Sequence, residues 1–464
     1  MWTDEFITLK AIQLDWRDLI EQRANNGHFP TYFLFLSGWS RVFGESDFSL
    51  RMPSALFCTA AVYSLYGGAR GALGPKAAIW VALFFIFNER TLWASQEARP
   101  YALTMLASAA AFGALISSLR TGRPMDWIVY VIWTLVGLGS QATYPSIFLG
   151  QVLVIGVWQI RTKKLRADWL ISTTFLLVCA AVMFSWLSGK QTNQSFYNER
   201  AWPEVDHVIK GLNQIFWGEY DIVWSSGAKY LGIALALFLT VAAWRARHSG
   251  KQEPIGIDSE SANPALPVFG LGLAWAISSL VIMALVSGLA KDVMGGFRYY
   301  AIGAGGAALL QGMGIAGLKR PGLKWSVLAL CTVLNGVTCV AWLFNPGDGA
   351  REAIQFVAEH RETGEPTIFC TDKPELMAMH YGLGDPLTPV SRNLEDEPEL
   401  RRIAGSAVGE SDSFWVIYYK EKASPFPDVI QRWSAGEWAP EFQYNIETLE
   451  EYDEARALRY MRAE

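Results

Sequence analysis

Long apolar stretches alternate with short polar loops over the first three quarters of the chain. They lie at about 52–70, 77–94, 100–119, 127–143, 144–160, 169–187, 227–244, 267–289, 299–318 and 323–344. A helix needs roughly 17–25 residues to cross the hydrocarbon core of a bilayer, and each stretch is near that length, so the pattern predicts about ten membrane-spanning helices. The continuous run 127–160 is too long for one crossing at about 1.5 Å per residue; Gln141, Tyr144 and Pro145 mark where it folds back. Asn88, Glu89 and Arg90 interrupt the far end of 77–94. Residues 29–43 are apolar but short. A re-entrant or interfacial helix suits them, because a crossing here would reverse every later loop.

The two ends of the chain read differently. Phe6, Leu9, Ile12, Trp16, Leu19 and Ile20 recur at helical spacing, with Asp15, Asp18, Glu21 and Gln22 between them. One apolar and one charged face suit a helix lying along a membrane surface. The far end mixes periods: Arg351–His360, Pro374–Tyr381 and Pro427–Trp433 read as helices, Thr367–Cys370 and Phe414–Tyr419 as strands. The expected organisation is a polytopic helical membrane domain over 1–345, with 1–51 as an external loop bearing surface helices. A small α/β soluble domain follows over 346–464.

Charge gives this arrangement a direction. The net charge of -5 hides an asymmetry: from Pro346 onward there are 24 acidic and 12 basic residues, against 20 and 27 in the remainder. Alternate loops beginning with Arg70 and Lys76 carry 14 Lys and Arg, the opposite loops only 7. Positive loops stay cytoplasmic. The expected localisation is the cytoplasmic (inner) membrane, with the acidic tail and the Asp4-Glu5 end on the outer face. An external start with no apolar segment before it has nothing to carry it across, so a first transmembrane helix is expected to be missing. No basic, aromatic-laced surface suggests nucleic acid. Cys58, Cys179, Cys331, Cys339 and Cys370 have no metal or disulfide spacing and read as small core residues.

Few ionisable residues fall outside the bilayer yet close to it. They are Asp4, Glu5, His28, Glu97, Arg99, Lys291 and Arg298, the last followed by Tyr299. Such groups are costly at a membrane boundary unless paired or functional. Cations can hold a lipid-linked phosphate while a carboxylate takes a proton from an attacking hydroxyl. Each also has a plainer reading. Acids favour a helix N-terminus, His28 before Phe29-Pro30 suits a turn, Glu97 and Arg99 suit a structural ion pair, and Arg298-Tyr299-Tyr300 suits an interface anchor.

Their order and spacing resemble the bacterial membrane glycosyltransferases of family 39, relatives of protein O-mannosyltransferases and lipid A aminoarabinose transferases. The resemblance is carried by Trp2-Thr3-Asp4-Glu5, Gly27-His28-Phe29-Pro30-Thr31-Tyr32-Phe33-Leu34, Phe43-Gly44-Glu45-Ser46, Arg51-Met52-Pro53-Ser54-Ala55, Ser95-Gln96-Glu97-Ala98-Arg99-Pro100-Tyr101 and Arg298-Tyr299. It implies a GT-C fold, a polyprenyl-phosphate sugar as donor, Asp4 as general base with Glu5 beside it, and Arg298 on the donor phosphate. His28, Glu97, Arg99, Lys291 and Tyr299 are the remaining candidate substrate-binding residues. No metal or cofactor is implied; the partners are the bilayer, the lipid-phosphate sugar and a glycan, lipid or protein acceptor. The chain departs from the family in its missing first helix, in His-Phe-Pro where His-Pro-Pro is usual, and at Asn88-Glu89-Arg90. The rival reading is a transporter or flippase of a lipid-linked glycan, which would place charges deep within spans and show repeated halves.

Overall fold

The computed structural model describes residues 3–190, 202–218, 226–248, 266–289, 297–344, 350–370, 378, 380–384, 387–390, 397–419, 430, 434, 438–446 and 455–462. The chain divides into two compact units. One is Ala11–Trp342; the other joins Met1–Lys10 to Leu343–Glu464.

The larger unit is helical. After α1 (Thr3–Ile12) come α2 (Trp16–Asn25), α3 (Thr31–Phe43), α4 (Asp47–Leu73), α5 (Pro75–Ile86), α6 (Glu89–Ser95), α7 (Tyr101–Thr121), α8 (Pro124–Leu138), α9 (Tyr144–Thr162) and α10 (Ala167–Lys190). Then follow α11 (Val205–Phe216), α12 (Ser226–His248), α13 (Val268–Leu289), a 3₁₀ turn (Phe297–Gly303), α14 (Ala304–Gly317) and α15 (Pro321–Phe344). Helix occupies each of the ten apolar stretches. Among the described residues, five helices are long and apolar enough to cross a membrane: Tyr101–Thr121, Ala167–Lys190, Lys229–Ala246, Val268–Leu289 and Pro321–Val340. A sixth is added if α5 and α6 count as one bent span. The fold-back expected near Gln141 lies between α8 and α9. Helix α3 has 13 residues, about 20 Å at 1.5 Å each, too short to cross alone.

The stretch 77–94 is not one helix: α5 and α6 meet at 61°. Asn88 is the reason. Its side chain caps α6, accepting from the Arg90 N–H at 3.0 Å, while its amide donates to the carbonyls of Ile215 at 3.1 Å and Phe216 at 3.3 Å. Glu89 and Arg90 form a buried ion pair, 3.1 Å between Arg90 Nε and a Glu89 carboxylate oxygen. Gln311 also donates to the Phe216 carbonyl, at 3.2 Å, and Thr338 to that of Trp217, at 3.0 Å. These polar residues join α6, α14 and α15 to the end of α11. Buried helix ends need such partners, because unpaired backbone groups have no water to turn to.

The first twenty residues differ from a single surface helix. α1 and α2 are separate, and Asp15 caps α2 by accepting from the Arg17 N–H at 3.4 Å. α2 keeps an amphipathic pattern, with Leu19 and Ala24 buried. α1 does not: Glu5 and Thr8 are buried along with Phe6, Leu9 and Ile12.

At the centre of the bundle lies α14, buried from Ala304 to Ile315. Its glycines admit neighbours that a side chain would hold off. A Cβ on Gly306 would strike the Ala276 backbone, one on Gly312 the Val81 backbone, and one on Gly314 the Leu239 carbonyl. Close helix approach through small residues is how membrane bundles gain packing contacts without a hydrophobic drive between helices.

In the smaller unit Phe6 of α1 packs edge-on against His380 and Tyr381, with ring centres 5.6 and 5.7 Å away. It also holds α16 (Ala350–His360), α17 (Glu397–Val408) and a five-stranded sheet. The strands are β1 (Thr367–Cys370), β2 (Leu387–Val390), β3 (Ser413–Tyr419), β4 (Trp438–Ile446) and β5 (Ala455–Arg462), ordered β2-β1-β3-β5-β4. β1 runs parallel to β2 and β3, while β5 lies antiparallel between β3 and β4. Ile368, Val390, Phe414, Val416 and Trp438 are in its core. Of the expected helices over 374–381 and 427–433, Ala378, His380 and Ile430 are helical and Tyr381 is in a turn; the other residues of both lie outside the described residues.

Candidate functional site

Ser46 caps α4, its hydroxyl accepting from the Ser49 N–H at 3.3 Å. One turn further on, Pro53 supplies no N–H for the Ser49 carbonyl. Trp39 of α3 fills that gap: its indole N–H donates to the Ser49 carbonyl at 3.0 Å. The proline of the Arg-Met-Pro-Ser-Ala motif thus creates the acceptor that fastens α3 to α4.

The next residue, Ser54, is where three motifs meet. Its hydroxyl donates to the Glu97 carbonyl at 2.5 Å, and Tyr32 Oη lies 3.5 Å from Ser54 Oγ. Tyr32 and Ser54 are fully buried. Residues 32, 54 and 97 are thereby held together across three separate elements. Beside Tyr32, Phe33 carries the Arg23 guanidinium 5.1 Å from its ring centre, and the His28 ring lies 6.2 Å away. The His28 N–H donates to the Arg23 carbonyl at 2.9 Å, closing the turn after α2. Arg23 is 1% exposed. The sequence reading missed it, since a lone arginine in a helix taken as surface-lying gives no signal.

Glu97 and Arg99, both 5% exposed, occupy the turn between α6 and α7. Trp93 and Tyr101 pack across that turn with ring centres 4.8 Å apart, and Thr104 Oγ1 donates to the Pro100 carbonyl at 2.8 Å. The 3₁₀ turn bearing Arg298 and Tyr299 packs against α6, α7, α11, α13 and α14. Its Ile302 carbonyl accepts from the Trp275 indole N–H at 2.7 Å. Arg298 and Tyr299 are half-buried; Tyr300 is buried. The 3₁₀ turn that carries the Arg-Tyr motif thus packs against the two helices that flank Glu97 and Arg99.

Beside the Ser54 node an apolar groove of about 660 Å³ runs between α4, α5 and α6, lined among others by Cys58, Val62, Tyr66, Ile86, Leu92 and Ser95. Asp4 and Glu5 lie in the first turns of α1, in the other compact unit, with Glu5 buried. Lys291 is outside the described residues. Among the described residues, no three His, Cys, Asp or Glu side chains come together as a metal site.

Residues 27–186 match the family model described as dolichyl-phosphate-mannose-protein mannosyltransferase. No curated protein matches the chain. Among solved structures, ArnT from Cupriavidus metallidurans in the apo state is similar at 13% identity and a TM-score of 0.36, over 93% of this chain and 87% of that one. ArnT from the same organism bound to undecaprenyl phosphate gives 12% identity and 0.36 over the same shares. The Archaeoglobus fulgidus oligosaccharyltransferase in the apo form gives 11% identity and 0.47, over 90% of this chain and 65% of that one. Likenesses at these TM-scores transfer no geometry. The matched segment, by contrast, begins at the Gly27-His28 motif and contains Tyr32, Ser54, Glu97 and Arg99. The resemblance to the family 39 membrane glycosyltransferases therefore holds, and residues 27–186 are the segment that carries it.

Proposed function

We propose that the chain transfers a sugar from a polyprenyl-phosphate donor to an acceptor hydroxyl at the outer face of the cytoplasmic membrane. The observation that carries this reading is the meeting of three motif segments at Ser54, inside the matched stretch. The family description itself contains a dolichyl-phosphate sugar, which supports a lipid-phosphate donor. The apolar groove beside the node suits the isoprenoid chain, and Arg99 and Arg298 suit the phosphate, where charge-assisted hydrogen bonds are strongest.

In this reading Asp4 takes the proton of the acceptor hydroxyl as its oxygen attacks the anomeric carbon. The bond from that carbon to the phosphate oxygen breaks, and the lipid phosphate leaves with the electron pair. A phosphate leaves without a separate acid, so one positioned carboxylate is enough. One displacement inverts the anomeric centre. Ten spans, supported by the excess of cations in alternate loops, would place Asp4, the turn at Glu97 and the acidic tail on the same side.

The flippase alternative gains little support, since among the described candidates Asp4, Glu97, Arg99 and Arg298 fall at or beside helix ends. Labelled polyprenyl-phosphate sugar and acceptor separate the two. A transferase consumes the donor in detergent, whereas a flippase moves it only across a sealed bilayer. Donor left intact in detergent but moved in vesicles would overturn the proposal.

A further inference from the structure

A second groove lies away from the motif cluster. It has a volume of about 670 Å³ and runs between α12 and the junction of α14 with α15, within the usual range for small-ligand sites of roughly 300–1,000 Å³. Leu237, Phe238 and Val241 form an apolar wall, and Leu323 faces them from α15. At one end stand Arg245, Lys319 and Arg320, all exposed, and among the described residues the lining contains no carboxylate. Two small residues close the floor there: a Cβ on Gly317 would come within 2.6 Å of the Ala246 Cβ, so α12 and α14 already touch.

This cationic end is remote from the Arg298 motif. Arg298 precedes α14 and Lys319 follows it, so the 14 residues of that helix separate them by about 21 Å at 1.5 Å per residue. That is most of a bilayer core of ~30 Å, which puts the two cation groups toward opposite membrane faces. A lipid phosphate held at Arg298 therefore leaves this groove open to another lipid.

We propose that the groove binds an anionic membrane phospholipid, with an acyl chain along the Leu237–Val241 wall and the phosphate between Arg245, Lys319 and Arg320. Charge complementarity selects the headgroup. Basic pockets between transmembrane helices hold anionic headgroups in this way, and each cation near such a surface strengthens binding severalfold. The cations stand at the far end of α14 from Arg298, so this choice of an ordinary phospholipid over the sugar-carrying lipid rests on the donor phosphate being held at Arg298.

The test uses the full chain, stripped of lipid in detergent and offered phosphatidylglycerol and phosphatidylcholine with identical acyl chains. Retained lipid is counted by native mass spectrometry. The wild type should prefer phosphatidylglycerol by on the order of 10- to 100-fold. Arg245→Gln/Lys319→Gln/Arg320→Gln should bring the ratio near one. Ala234→Trp, which fills the apolar end and leaves the cations, should lower retention of both lipids. If the triple variant fails to fold, Arg320→Gln alone should reduce the preference severalfold. Equal retention of the two lipids by the wild type would overturn the proposal, as would an unchanged preference in folded variants. Undecaprenyl phosphate offered in a third arm should be retained alike by the wild type and the triple variant; its loss in the folded triple variant, with phosphatidylglycerol retention unchanged, would also overturn the proposal.

Discussion

Ser54→Ala removes one oxygen and tests whether the Ser54 node organises the site. The Ser54 hydroxyl donates to the Glu97 carbonyl at 2.5 Å. Ser54 is 0% exposed and Glu97 5%, so water cannot readily replace the lost donor. A typical hydrogen bond contributes only about 0.5–1.5 kcal/mol net, but leaving a buried acceptor without its partner costs about 1–3 kcal/mol. The second figure applies here. Ser188→Ala in α10 is the control: its hydroxyl donates to the Ser185 carbonyl one turn back at 3.1 Å, at an exposed position, and should cost less than about 0.5 kcal/mol. Thermal melts of both variants in detergent, read beside the initial rate of donor consumption, give the comparison. Ser54→Ala should melt clearly lower than Ser188→Ala. Its rate should fall as well, because a shift of about 1 Å in a positioning element can cost on the order of 10²-fold. Equal melts and equal rates for the two variants would refute the reasoning.

Trp39→Phe should cost about 1 kcal/mol, since it takes away the donor to the Ser49 carbonyl. In a Pro53→Ala background a backbone N–H is restored and the cost should shrink; a double-mutant cycle on melting shows a coupling near zero if the explanation is wrong. In the smaller unit Glu365 accepts from the Trp415 indole at 3.0 Å and pairs with Arg459 at 2.8 Å. Burial pushes its carboxyl up, but hydrogen bonds from Ser413 and Arg459, the Glu362 N–H and the Arg459 charge together hold it below its ordinary value of 4.5. A carboxyl lowered on folding stabilises above its unfolded pKa and loses that contribution as pH falls through the folded value. Stability should therefore fall below about pH 4.5 in the wild type, with a shallower fall in Glu365→Gln; identical acid titrations would contradict this.

Hydropathy located the helices, because spans in lipid must be long and apolar whatever their neighbours are. It marked Asn88-Glu89-Arg90 as an interruption, and the helix does break there, at 61°; that the break is a buried junction was not legible. A capping signal was present, as Asn followed by Glu is a helix start, but the carbonyls of Ile215 and Phe216 that need Asn88 lie 127 and 128 residues away. α1 failed as a surface helix for a similar reason: Phe6 packs on His380 and Tyr381, and a periodic pattern does not name its partner. In the smaller unit β4 escaped notice because Pro440 falls within it, where the register slips between Pro440 and Phe442. The motif residues themselves were legible. That Ser54 ties Tyr32 to the Glu97 backbone was not, since a serine among apolar helix residues resembles any other small polar residue.

The most direct measurement of the central claim compares wild type, Asp4→Asn and Glu5→Gln in detergent. Labelled polyprenyl-phosphate sugar and an acceptor are supplied, with folding checked by thermal melt. The wild type should release lipid phosphate and form an inverted glycoside. Asp4→Asn keeps the shape but cannot accept the hydroxyl proton, and should lose about 10²–10⁴ in rate while still binding donor. Glu5→Gln should lose less, because adjacent helical side chains point about 100° apart and only one carboxylate can face the acceptor. Near-normal rates in Asp4→Asn with a dead Glu5→Gln would move the base by one residue. Full activity in both folded variants would contradict the mechanism.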